Sequence, residues 1–242
     1  MTQRKSLEVC FSPSLLHLYD TKGKLVVIID IFRATSTITT ALAHGAEKVI
    51  PVASVEECIA LGQQIPNSIT AGERNGQIAP GLQYGNSPLE YPEEFIAGKS
   101  LNLTTTNGTR LLHMVRDAAQ IVIGSFLNLQ AICDYLLGQD LDVLLGCASW
   151  KDRPNMEDNL FAGAVVHNLY DKFDIKCDSA LIAKSMYEDA LTKPSLLDYL
   201  KNGSHYHRLA GFGLYEDLKY CTTTNIHHVV PVLKEGALVV AE

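Results

Sequence analysis

The sequence predicts an α/β protein built on a mostly parallel sheet, and three observations carry that reading. From residue 24 onward short apolar runs alternate with helical patterns, the apolar run coming first in each unit, as expected of βα units. Several of these runs are continuously apolar, which suits strands covered on both faces. With 242 residues, 47% of them hydrophobic, the chain can bury a substantial core.

Each element follows in order. "KLVVIID" (residues 24–30), "EKVIPVA" (47–53), "SITAGE" (68–73), "KSLNLTTT" (99–106), "AQIVIGS" (119–125) and "DVLLGCA" (142–148) read as strands. A helix opens at Ser54, where Glu57 stands at the capping-box offset, and another at Asn128 before "LQAICDYLLG". Arg74 to Pro92 is rich in Gly and Pro and has neither period, so it reads as a long loop of the kind that carries function. After Trp150 the pattern turns helical through "MEDNLFAGAVVHNLYDKF", "SALIAKSMYEDAL" and "SLLDYLKNG", and the chain closes on two strands around Glu235-Gly236. No linker or internal repeat stands out. Residues 1–242 read as one domain, or as two intimately packed lobes with the second beginning near residue 150.

Composition narrows the function. A net charge of -7 with no basic run argues against nucleic acid or an anionic membrane as partner. The start, "MTQRKSLEVCFSPS", lacks the apolar core of a signal peptide, and no stretch is long and apolar enough to span a bilayer, so the cytoplasm is the expected location. The six cysteines are scattered without a CxxC pair, mostly in apolar segments, as small core residues are. There is no GxGxxG, GxxxxGK[ST] or GxSxG. "GSHYHRL" reads as a solvated turn rather than a metal site.

The informative residues are polar and fall at strand ends. Asp30 closes the first strand, Glu73 the third, Thr104 to Asn107 the fourth and Ser125 the fifth, while Ser149 leads from the sixth toward Glu157-Asp158. These are carboxyl ends, where open α/β sheets hold ligands. "RATSTIT", with Arg33, Thr35 and Ser36, and "TTTNGTR", with Thr105, Thr106, Asn107, Gly108 and Arg110, have the makings of anion cradles, hydroxyls and N–H groups at a helix start beside an arginine. Each alone also reads as a cap or a turn. Carboxylates at Asp30, Glu73 and Asp158 beside an anion call for a hard cation, and Mg²⁺ is the economical one. The set points to metal-assisted phosphoryl chemistry on a small anionic phosphorylated substrate.

"IDIFRATSTITTALAHGA", "AGERNG", "GNSPLEY", "TTTNGTR", "GSFLN" and "MEDNLFAGA", in this order and spacing, closely resemble the ComB family of 2-phosphosulfolactate phosphatases, across residues 5 to 240. The resemblance implies a three-layer α/β/α sandwich and a magnesium-dependent acid phosphatase. That enzyme converts 2-phospho-3-sulfolactate to 3-sulfolactate and phosphate, a step toward coenzyme M. It adds Asn86, Ser87 and Asn128 to the candidate substrate side. "SWKDRPNMEDN" departs from the Gly-rich, Leu-Glu-Asp form of the family, with Met156 in place of Leu.

On this reading Asp30 holds the metal with Glu73 or Asp158, while Arg33, Arg74 and the Thr105 to Gly108 turn stabilise the transferring phosphoryl group. A carboxylate either orients water or attacks directly, and Arg74 or Arg110 takes the sulfonate. The alternatives are a phosphatase for another small phosphorylated sulfonate or carboxylic acid, and a protein that binds such an anion without turnover. Homo-oligomerisation is left open.

Overall fold

The computed structural model describes residues 4–74, 76–105 and 107–242. In chain order the elements are β1 (Leu7–Cys10), β2 (Leu25–Ile29), α1 (Ala34–Ala43), β3 (Lys48–Pro51), α2 (Val55–Gln64), β4 (Ser68–Arg74), β5 (Gln77–Ile78), α3 (Glu93–Ile96), β6 (Ser100–Thr104) and α4 (Gly108–Met114). They continue as β7 (Gln120–Gly124), α5 (Leu129–Gly138), β8 (Val143–Cys147), α6 (Met156–Leu169), α7 (Asp178–Ala190), α8 (Leu196–Leu200), α9 (Ser204–Gly211), α10 (Tyr215–Cys221), β9 (Pro231–Lys234) and β10 (Ala237–Val240).

Local chemistry accounts for most of these. β2 is five consecutive buried apolar residues, four of them β-branched, which pack well where both faces of a sheet are covered. The Ser54 hydroxyl accepts the Glu57 N–H at 3.1 Å and the Glu57 carboxylate reaches back to the Ala53 N–H at 2.9 Å, so α2 begins where its cap dictates. β9 and β10 turn back on each other through Glu235 and Gly236, both at positive φ.

Ten strands among the described residues form one sheet in the order β1-β8-β2-β7-β9-β10-β3-β6-β4-β5. β1, β8, β2 and β7 pair in parallel, and so do β3, β6 and β4. The closing hairpin joins these two blocks through three antiparallel pairings, β7 to β9, β9 to β10 and β10 to β3. Three reversals turn the second block against the first, so in a flat sheet their carboxyl ends would lie on opposite edges. The sheet is not flat. Val26, Ile28 and Leu144 of the first block share one apolar core with Val49, Leu101 and Leu103 of the second and with Ile38 and Leu42 of α1 and Leu111 of α4. On the first block's other face, Leu25, Val27 and Ile29 meet Ile132 of α5, Phe161 and Val165 of α6 and Ala183 of α7. Successive residues of β2 thus supply alternate cores, and helices lie on both sides in a three-layer α/β/α arrangement.

The structure corrects the sequence reading at three places. β1 was not expected, because four residues are too few to display a period. The Arg74–Pro92 loop is partly ordered: Arg74 belongs to β4, which pairs with β5 through Glu73↔Ile78 and Arg74↔Gln77. "GSHYHRL" is no solvated turn but lies in α9, with His205, Tyr206 and Leu209 buried on one side. Among the described residues no helix is long and apolar enough to cross a membrane.

Gly163 shows how tightly α6 and α7 meet, since a Cβ there would come within 2.0 Å of the Ala183 carbonyl oxygen. Backbone cannot yield as a side chain does, so Gly163→Ala is expected to lower stability by roughly 1–3 kcal/mol despite its better helix propensity. Urea denaturation of the variant beside wild type measures this, and an unchanged midpoint would contradict the close packing.

Candidate active site

The ends of β2, β4 and β6 from the two opposed blocks converge on a cleft of about 90 Å³. It is lined by Asp30, Phe32, Arg33, Glu73, Gly76, Asn86, Thr105, Asn107, Trp150, Lys151, His205, Arg208 and Leu209. That is well below the roughly 300–1,000 Å³ of drug-sized pockets, so it suits a small polar ligand rather than a dinucleotide.

Asp30 sits just past β2, and its carboxylate accepts the Gly108 N–H at the start of α4. A Cβ on Gly108 would lie 3.0 Å from Asp30 Oδ2, so glycine is what lets α4 approach. Burial pushes the Asp30 carboxyl up to about 7; His205 opposes the shift, Glu73 and Glu157 add to it, and the Gly108 N–H opposes it. Glu73 arrives from β4 and accepts the Gly76 N–H at 2.9 Å, which ties the β4–β5 turn to the cleft.

Arg33 is buried and paired with Asp217 of α10, whose other oxygen accepts the Ser87 hydroxyl at 2.8 Å. Asn86 lines the cleft, and its buried Oδ1 has no hydrogen-bond partner among the described residues. Thr105 and Asn107 also reach the cleft, and Thr106 lies outside the described residues.

The other expected site residues lie elsewhere. Both oxygens of Asp158 accept backbone N–H groups, of Ile31 at 2.8 Å and Ser149 at 3.1 Å, so this carboxylate braces the turns after β2 and β8. Burial, then Glu157 and Asp30, push its proton affinity up, while the Ile31 N–H and the Asn155 side chain oppose the shift. Thr35 accepts the Asp30 N–H at 3.2 Å, and Ser36 donates to the Ile31 carbonyl at 2.9 Å. Thr37 donates to Asn86 O at 3.0 Å and Thr39 to Thr35 O at 2.8 Å. The hydroxyl-rich run therefore lets α1 be buried with its polar groups satisfied, and these hydroxyls are turned to backbone N–H and carbonyl groups rather than to a ligand. Ser125 and Asn128 cap the turn after β7, with the Ser125 N–H donating to Asn128 Oδ1 at 2.9 Å. Arg74 donates to Glu73 O at 2.7 Å and to Thr104 Oγ1 at 3.3 Å, and the exposed Arg110 pairs with Asp152 at 2.8 Å.

Four site residues were missed. His205 is buried against Glu157, its Nδ1 held by the Glu157 carboxylate and its ring stacked on Trp150 at 6.0 Å and 10°. Arg208, one turn further along α9, lies over the same indole at 5.0 Å. Asp217 anchors Arg33, and Lys151 follows Trp150 in the cleft wall. The available signal was the i, i+3 spacing of His205 and Arg208, which puts both on one helix face.

The family model of 2-phosphosulpholactate phosphatase matches residues 10–236. The chain belongs to that family. A relative from Caldanaerobacter subterraneus is 41% identical over 222 residues, covering 90% of each chain. One from Thermotoga petrophila is 42% identical over 219 residues, covering 90% of this chain and 93% of its own. One from Synechocystis is 39% identical over 211 residues, covering 85% and 87%. Each is named a probable 2-phosphosulfolactate phosphatase.

For a member of the 2-phosphosulpholactate phosphatase family the question is whether this cleft fits magnesium. Glu73 raises the proton affinity of Asp30 through the cleft, and Asn86, whose buried Oδ1 is orphaned, lines the same cleft, an all-oxygen donor set suited to a hard cation. Among the described residues no three His, Cys, Asp or Glu side chains form a ready-made cage.

Proposed function

We propose that the chain is a magnesium-dependent phosphatase that converts 2-phospho-3-sulfolactate to 3-sulfolactate and inorganic phosphate, the reaction type that leads toward coenzyme M. The observation that carries this is the meeting of Asp30 and Glu73 with Arg33, His205, Arg208 and Lys151 in one small cleft. Two acidic groups beside several cationic ones suit an ion and a multiply charged anion together.

Asp30 and Glu73 would hold magnesium, whose charge would screen the phosphoryl oxygens from the carboxylates and stabilise the transition state. Arg33, oriented by Asp217 and Ser87, offers its guanidinium to the same oxygens. Water adds to phosphorus as the bond from phosphorus to the C2 oxygen breaks, and one proton must reach that departing oxygen. With Nδ1 held by Glu157, His205 has Nε2 left for delivering this proton. Six free cysteines, five of them buried, suit a reducing compartment, and we place the reaction in the cytoplasm.

The test is phosphate release from 2-phospho-3-sulfolactate and from phenyl phosphate, with magnesium and after exhaustive EDTA treatment. Turnover is expected to vanish with EDTA and return on adding Mg²⁺. Undiminished turnover in protein that elemental analysis finds metal-free would remove the metal from the proposal, and no release from either ester in the presence of magnesium would remove the phosphatase.

A further inference from the structure

The basic side chains of the cleft divide into those already held by acids and those that are not. Arg33 is paired with Asp217, and His205 with Glu157. Arg208 and Lys151 form no ion pair among the described residues and instead lie on the Trp150 indole, the guanidinium carbon 5.0 Å and the Lys151 Nζ 4.8 Å from the ring centroid. The indole is itself fixed. His205 stacks on it, and Trp150 exchanges two backbone hydrogen bonds with Arg153, at 3.0 and 3.1 Å. Two cations prepositioned on an aromatic face, both in the wall of the cleft and neither neutralised by protein, form an anion site distinct from the Asp30 and Glu73 carboxylates.

The geometry points to Arg208 and Lys151, carried on Trp150, as the subsite that takes the non-reacting sulfonate of a phosphorylated sulfonic acid and so selects which phosphoester is cleaved. This rests on the phosphatase reading of the same cleft. A guanidinium fork meets two oxygens of the sulfonate in one plane, and the lysine ammonium is left for the third, which a carboxylate lacks. Arg74 and Arg110, the arginines the sequence suggested for this role, are both engaged elsewhere and do not line the cleft. Arg208 and Lys151 come from α9 and from the loop after β8, so the selecting group is built by segments far apart in sequence.

Calorimetric titration of the full chain with 3-sulfolactate and with lactate tests the subsite without relying on turnover. Wild type is expected to bind 3-sulfolactate at least roughly tenfold more tightly than lactate, because a charged hydrogen bond is lost with the sulfonate. Arg208→Ala should bring that ratio close to one, Lys151→Gln should reduce it in part, and Arg208→Lys should restore a fraction of it. Thermal melts accompany each variant, and if Arg208→Ala does not fold, Arg208→Lys and Lys151→Gln decide. Equal affinity of wild type for the two ligands, or a preference undiminished in a folded Arg208 variant, overturns the subsite. A wild type that releases no phosphate yet prefers 3-sulfolactate through Arg208 would keep the subsite and discard the phosphatase reading.

Discussion

Asp30→Asn is expected to reduce turnover by roughly 10³-fold while making the metal-free protein more stable at pH 8. The substitution keeps shape and the acceptor for the Gly108 N–H but removes the charge that would hold the cation. The stability half follows from the direction of the shift. The Asp30 carboxyl titrates near 3.8 in the unfolded chain and near 7 in the folded one, so the folded chain retains a proton that the unfolded chain gives up between those values. Stability from this group is present below pH 3.8 and is lost as pH rises to about 7, a cost on the order of a few kcal/mol that asparagine does not carry. Magnesium should accordingly raise the melting temperature of wild type at pH 8 and do much less for Asp30→Asn. Steady-state kinetics and melts in EDTA and in magnesium provide both readouts. A variant with near-wild-type kcat would move the metal site elsewhere, and one that melts below wild type at pH 8 in EDTA would mean that the carboxylate is stabilised by partners rather than strained by burial.

The second large effect concerns Arg33, whose guanidinium and the Asp217 carboxylate are both buried. Removing one member of such a pair leaves the other charged and desolvated, at about 3–5 kcal/mol. Arg33→Ala should therefore unfold at distinctly lower denaturant, and so should Asp217→Ala, while the double variant should lose much less than the sum of the two. If Arg33 also binds the transferring phosphoryl group, Arg33→Lys should slow turnover by roughly 10²-fold even where it folds, because the ammonium lacks the planar two-point grip. Asp217→Asn, which keeps the Ser87 hydrogen bond possible, separates the two roles. Loss of stability with kcat/KM unchanged in every Arg33 variant would assign the arginine to the scaffold alone.

Much of the architecture was readable from the chain because several strands, β2 and β8 among them, are short, fully buried and continuously non-polar. β2 announces itself in "LVVII" and β8 in "VLLGC", and α2 in the Ser54–Glu57 cap. β1 was not readable, since Leu7 to Cys10 finds its place only by pairing with β8, residues 143–147, more than 130 positions away. The candidate site was readable in part for a related reason. Asp30 and Glu73 interrupt apolar strands at their ends, which a single sequence can show. The hydroxyls of Thr35 and Ser36 and the carboxylate of Asp158 carry the same polar signal, yet they bond to nearby backbone. Composition does not distinguish a polar group that faces a ligand from one that completes a buried turn, because both must be satisfied.

What the sequence by itself determined is the alternation of strands and helices, the ordered motifs that mark the family, and the acidic residues at the ends of β2 and β4. Only the tertiary structure decided that the closing hairpin reverses one parallel block against the other and folds the sheet so that those ends meet. It also decided that His205 and Arg208, from a helix remote in the chain, complete the cleft, and that Asp217 anchors its Arg33. The physical reason is range. Strand and cap signals arise from steric and hydrogen-bonding terms within a few residues, whereas the pairing of Arg33 with Asp217 or of Glu157 with His205 requires two buried polar side chains from distant segments to find each other.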